Sequence, residues 1–157
     1  MSFTGGSSCT ALFLFLSFAS GGTNFVPTSA GAAVNQKVAS QINFITAEEL
    51  KAKLSKNVPV IIIDVRSADS LNADNKIKGA YYVKLRRLKY RLSFPPLKDV
   101  PRDRNVVTYC ACPNDEASVR AAQILRDSGF TNVQVLKGGW VVWKKANGQI
   151  EPMVRGL

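Results

Sequence analysis

The segment Val58-Pro59-Val60-Ile61-Ile62-Ile63-Asp64-Val65 constrains this chain more than any other, because its apolar residues follow one another instead of alternating with polar ones. A strand with one face in water alternates, whereas an unbroken β-branched run needs cover on both faces. Similar runs recur at Val106-Val107-Thr108-Tyr109-Cys110 and Val133-Gln134-Val135-Leu136, with a shorter one at Gly79-Ala80-Tyr81-Tyr82-Val83. Helical patterns lie around them. Thr46-Ala47-Glu48-Glu49 carries the residues of a capping box and predicts a helix from about Ala47 to Leu54. The stretch from Asp115 to Ser128 places Ala117, Ala121, Ile124 and Leu125 on one side and stops at Gly129. Gly138-Gly139-Trp140 opens a last helix through Lys145. Strands separated by helices predict an α/β fold of three layers, α/β/α, around a central, mainly parallel sheet. With 157 residues there is room for one such domain, placed at 43–152 after a linker at 33–42 and before a short tail at 153–157.

Residues 1–32 read differently. Ala11 to Ala19 is an apolar run of about nine residues, too short for a bilayer, which needs roughly 20. Small residues Ala30-Gly31-Ala32 follow a Gly/Ser/Thr-rich stretch, the outline of a secretory signal with cleavage after Ala32. The basic start of such a signal is missing. The expectation is export to a periplasmic or other extracytoplasmic space, with a cytoplasmic protein carrying a disordered leader as the alternative. Membrane attachment is expected only through an uncleaved leader.

The chain has no histidine, which excludes Ser-His-Asp triads, Cys-His dyads and His-ligated zinc or haem built within it. It carries 21 Lys+Arg against 11 Asp+Glu, a formal charge of +10, and the first charged residue is Lys37. That excess favours anionic partners. Zinc-finger spacing, an RNP-like aromatic motif and a run of five basic residues are all absent, so nucleic acid is not the expected partner. In Lys84-Leu85-Arg86-Arg87-Leu88-Lys89-Tyr90-Arg91-Leu92 the leucines fall at helical spacing, which predicts an amphipathic helix with a solvated basic face. The alternative is that Lys84–Arg91 docks an acidic protein partner or anionic lipid.

Chemistry concentrates in Tyr109-Cys110-Ala111-Cys112-Pro113-Asn114. A thiol where a buried strand ends and a helix begins faces loop amides and a helix N-terminus, which lower its pKa and receive anions. Such a thiolate can attack a sulfur donor and keep the product as a persulfide. A phosphatase-type C-x5-R motif is missing: the sixth residue after Cys110 is Glu116, and after Cys112 it is Ser118. Two thiolates suit copper(I), but four zinc ligands are not available, and no metal or organic cofactor is expected.

In order along the chain, Ile62-Ile63-Asp64-Val65-Arg66-Ser67, Ile77-Lys78-Gly79-Ala80, Val106–Cys110, Arg120-Ala121-Ala122, Gly129-Phe130 and Leu136-Lys137-Gly138-Gly139-Trp140-Val141-Val142-Trp143 resemble the motifs of the rhodanese-like sulfurtransferase family. The resemblance implies transfer of sulfane sulfur through a cysteine persulfide, from thiosulfate, polysulfide or a protein persulfide to a thiol acceptor. It implies loop amides cradling the sulfur, here over Ala111, Pro113, Asn114, Asp115 and Glu116. It also implies that Asp64, Arg66 and Arg120 act from behind the site, and that Gly138, Gly139 and Trp140 are architectural. The loop is two residues longer than the family's. Counting through the strand makes Cys110 the family's cysteine; counting back through the helix makes it Cys112. The strand register is preferred, with Cys112 as a resolving thiol. Asp115 and Glu116 stand where family members carry basic residues and are expected to repel a dianionic donor. The competing class is a non-catalytic binding module, or a thiol redox module using the Cys110/Cys112 pair.

Overall fold

The computed structural model describes residues 42–67 and 75–153; the leader, most of the linker and most of the tail lie outside these. Strands β1 (Asn43–Ile45), β2 (Val60–Asp64), β4 (Tyr81–Tyr82), β5 (Asn105–Tyr109) and β6 (Val133–Leu136) form one sheet in the order β1-β6-β5-β2-β4. Every pairing in that sheet is parallel. Strands β3 (Asn75–Ile77) and β7 (Ile150–Pro152) pair antiparallel as a separate small sheet. Neither β1 nor this pair is visible as a run in the sequence; each is three residues long and held by its neighbour.

Consecutive positions on the central strands go to opposite faces, as the unbroken apolar runs require. Ile63 and Val106 join Ala121, Ala122 and Leu125 of α3 (Glu116–Asp127), with Leu88 of α2 (Leu88–Arg91). Ile62 and Val107 join Ala47 and Leu50 of α1 (Ala47–Ser55), with Trp140 and Trp143 of α4 (Gly139–Lys145). The sheet therefore carries helices on both faces, and this is the three-layer α/β arrangement. Each of those four strand residues is 2% exposed or less, so each contributes roughly 1.5–3 kcal/mol of apolar burial.

The helix ends follow local chemistry. Thr46 accepts from the Glu49 amide and Glu49 returns the bond to Thr46, closing the capping box. Helix α3 ends with the Gly129 amide on Arg126 O and the Phe130 amide on Leu125 O, while Gly129 sits at φ +94°. The basic segment is less regular than its leucine spacing predicts: a 3-10 turn over Leu85–Arg87 precedes the single turn of α2. Leu88 and Leu92 are buried beneath it and Leu85 half-buried.

Register sets the site. Asp64 pairs across with Tyr109 on one side and Tyr82 on the other. Beyond the strand ends, the Val65 amide bonds Tyr109 O and the Val83 amide bonds Asp64 O. Three chain segments, Val65–Ser67, Val83–Arg86 and Cys110–Cys112, thus emerge side by side at the carboxyl edge of the sheet, where ligands of such sheets bind.

Candidate active site

Cys110 follows β5 directly and is 1% exposed. Cys112 is half-buried and forms a disulfide with it, the two Cα atoms 5.7 Å apart. The Cys112 amide donates to Cys110 Sγ at 3.4 Å. Ser118 Oγ lies 3.4 Å from the same sulfur and 2.9 Å from the Asp115 carbonyl. A hydroxyl has one proton, and the nearer carbonyl takes it while Cys110 is in a disulfide; a thiolate there, as a charged acceptor, competes for it. Ser118 is placed by its own backbone, whose carbonyl accepts from Thr108 Oγ1 at 2.9 Å. The Cys110 carbonyl accepts from the Trp140 amide at 2.8 Å, and a Cβ on Gly139 would fall on that carbonyl oxygen. The Gly138-Gly139-Trp140 segment thus packs directly behind the cysteine.

A cavity of about 490 Å³ opens over both sulfurs, lined by Val65, Arg66, Ser67, Lys84, Leu85, Arg86, Cys110, Ala111, Cys112 and Ala117. Three of these are cationic and none is a carboxylate. Arg66 is neutralised: it is 1% exposed, with Nη2 on Asp64 Oδ2 at 2.7 Å and Nε on Asp64 Oδ1 and Oδ2 at 3.0 Å. Its guanidinium also bonds Asn75 O at 2.9 Å and lies over the Trp140 ring at 4.4 Å. Tyr109 Oη donates to Asp64 Oδ2 at 2.7 Å, and burial, with the Asp64 charge second, raises its pKa so that it stays a donor across the neutral range. Lys84 and Arg86 are exposed and have no hydrogen-bond or ion-pair partner among the described residues. Among the described residues they are the unpaired positive charges of the cavity.

The expected cradle divides. Ala111 lines the cavity with both cysteines. Pro113 and Asp115 line a different hollow, with Lys137 and Gly138. Asp115 is the N-cap of α3 at φ +54°, 6% exposed, and its Oδ2 accepts from the Gly138 amide at 2.8 Å, so the carboxylate is turned away from the sulfurs. The Asp115 amide is occupied by the Cys112 carbonyl at 3.3 Å. Asn114 is exposed and outside the cavity lining. Glu116 and Arg120 form an exposed pair at 3.7 Å, with side chains 76% and 69% exposed. Arg120 was expected behind the site; the buried stripe of α3 runs through Ser118, Ala121, Ala122 and Leu125, which turns position 120 to water. Neither Asp115 nor Glu116, expected to repel a dianionic donor, lines the cavity over the sulfurs. Sequence reasoning read Lys84 and Arg86 as part of a solvated helix face or a docking surface and missed that they line the cavity; it also missed Ser118. A polar residue on the buried side of the helical pattern was the available signal for Ser118.

A buried cysteine at the carboxyl end of a central parallel strand, under a cation-lined cavity, defines a thiol-centred α/β domain. The rhodanese-like domain profile matches residues 46–146, and the chain belongs to that family. It is similar to a sulfurtransferase of Allochromatium vinosum, 28% identical over 104 residues covering 66% of this chain and 90% of that protein. It is also similar to the uncharacterized protein YqhL of Bacillus subtilis, 35% identical over 99 residues, covering 63% and 70%. Among solved structures, the Alr3790 protein from Anabaena aligns with TM-score 0.59 at 32% identity, covering 70% of this chain and 82% of the other. The thiosulfate sulfurtransferase of Pseudomonas aeruginosa aligns with TM-score 0.60 at 26% identity, covering 72% of this chain and 20% of that one.

Proposed function

We propose that this protein is a sulfurtransferase that carries sulfane sulfur as a persulfide on Cys110. The supporting observation is the position of Cys110: buried at the end of β5, with the Cys112 amide directed at its sulfur, under a cavity lined by the exposed cations Lys84 and Arg86. Once the disulfide is reduced, the Cys110 thiolate attacks the outer sulfur of the donor, and the leaving group departs with the electron pair: sulfite from thiosulfate, a thiolate from a persulfide. Before the attack, the amide of Cys112 and the hydroxyl of Ser118 stabilise the negative charge of the Cys110 thiolate; in the persulfide that charge passes to the outer sulfur. Lys84 and Arg86 favour an anionic donor, whereas the sequence pattern of Asp115 and Glu116 was expected to repel a dianionic one. Arg87, Lys89 and Arg91, exposed on the same segment, leave a basic surface for an acidic protein that delivers or receives sulfur.

Intact-mass measurement after pre-reduction and incubation with thiosulfate or polysulfide, with peptide mapping, tests this reading. The expected result is one added sulfur on Cys110, absent in Cys110→Ser. Sulfur mapped to Cys112 instead would move the carrier to the helix register, and no gain with either donor would end the transferase reading.

A further inference from the structure

We propose that Cys112 discharges the Cys110 persulfide within the same chain, so that the protein releases its sulfur as hydrosulfide and is reset by a dithiol reductant. This rests on Cys110 as the persulfide carrier and adds a second, reductive outcome to transfer.

The observation is the state and asymmetry of the cysteine pair. The two sulfurs line one cavity and are bonded to each other, so Cys112 reaches Cys110 Sγ from its own loop. That disulfide is the product of the proposed step. The Cys112 thiolate attacks Cys110 Sγ of the protonated persulfide and forms the Cys110–Cys112 bond; the bond from Sγ to the outer sulfur breaks, and that sulfur leaves as HS⁻ with the electron pair, keeping its own proton. The outer sulfur gains two electrons and the cysteine pair loses two. A dithiol, small or protein-borne, returns them by exchange, leaving its own disulfide.

The surroundings suit both halves of the cycle. Cys110 Sγ has the Cys112 amide at 3.4 Å and the Ser118 hydroxyl within reach, whereas no donor among the described residues bonds the Cys112 sulfur. Cys110 is therefore the better-stabilised thiolate and the better leaving group when a reductant attacks. Exposure agrees: Cys110 is 1% exposed and Cys112 half-buried, so an incoming thiolate meets Cys112 first. Lys84 and Arg86 on the cavity wall favour thiolate at either sulfur.

The test uses the full chain with Cys9→Ser, leaving these two thiols, and compares it with the same protein carrying Cys112→Ser or Cys112→Ala. Each is reduced, freed of reductant, and loaded with thiosulfate in the absence of any thiol or, separately, with glutathione persulfide, whose released glutathione is common to every variant. Hydrosulfide is trapped and quantified, and intact mass is read after alkylation; Cys110→Ser sets the donor background. The expected result is a burst of about one hydrosulfide per chain from the Cys9→Ser protein. That protein ends as the disulfide, two hydrogens lighter. Both Cys112 variants keep one added sulfur on Cys110 and lose the burst. Their sulfur gain shows that they are folded. If the parent also holds a stable persulfide and releases hydrosulfide only when a thiol is added, the inference is overturned and the transferase reading stands. If no protein gains or releases sulfur with either donor, the transferase reading falls and takes the inference with it.

Discussion

Replacing Asp64 by Asn tests how the site is held from behind. Asp64 and Arg66 are 0% and 1% exposed, and the carboxylate accepts from the Arg66 amide at 3.0 Å, Arg66 Nε at 3.0 Å, Arg66 Nη2 at 2.7 Å and Tyr109 Oη at 2.7 Å. An amide of the same shape must point NH2 at some of these donors. With nitrogen in the Oδ2 position it opposes Nη2 and Nε, while the Tyr109 hydroxyl can turn to accept; in the Oδ1 position it opposes the Arg66 backbone amide and Nε. Either way two hydrogen bonds to a charged group are lost, at about 1.5–3 kcal/mol each, and a buried guanidinium keeps its charge without a counter-ion. Both routes converge on about 3–5 kcal/mol, a large part of the 5–15 kcal/mol typical of a domain. Urea unfolding of the wild type and Asp64→Asn measures it. Adding Arg66→Met to Asp64→Asn should recover a substantial share, because the uncompensated charge is then gone. A loss under about 1 kcal/mol in the single variant, or a double variant less stable than the single, would refute the argument that the charge, and not the side-chain packing, sets the magnitude.

Lys84→Gln with Arg86→Gln should raise KM for thiosulfate about tenfold with kcat little changed, taking each exposed cation as worth up to about 1 kcal/mol, and should remove most of the salt dependence of kcat/KM. Steady-state kinetics with thiosulfate against a neutral dialkyl trisulfide read this; an equal loss with both donors would mean that the charges do not act on the donor. Gly139→Ala should destabilise the fold by about 2–5 kcal/mol, from a left-handed backbone at φ +47° and a Cβ that meets the Cys110 carbonyl, and should slow alkylation of reduced Cys110; thermal unfolding and thiol kinetics check both. Glu151 hydrogen-bonds Lys76, which lowers its pKa from the usual carboxylate value, so its contribution exists above that value and is lost as pH falls through the lowered one. The melting-temperature gap between wild type and Glu151→Gln should accordingly be present at neutral pH and close in the acid range, whereas a gap independent of pH would place the effect in packing.

Local chemistry by itself determined that this chain builds a parallel sheet covered on both faces. Ile62-Ile63 and Val106-Val107 cannot each bury both neighbours in any other way, and Thr46 with Glu49 starts α1 from four residues of sequence. It also indicated where a thiol would meet the sheet, since Cys110 ends a short β-branched run that reads as a strand. Only the tertiary structure decided what surrounds that thiol. Lys84 and Arg86 arrive over the sulfurs because β4 pairs with β2 and the Val83 amide closes on Asp64, a long-range register that helical spacing within the basic segment does not contain. The direction of Asp115 is set by its left-handed backbone and by the Gly138 amide from a distant turn, so a carboxylate next to the cysteines in sequence faces away from them in space. Strands and helices follow periodic side-chain patterns that neighbouring residues carry; a loop has no period, and its side chains point where partners far along the chain accept them.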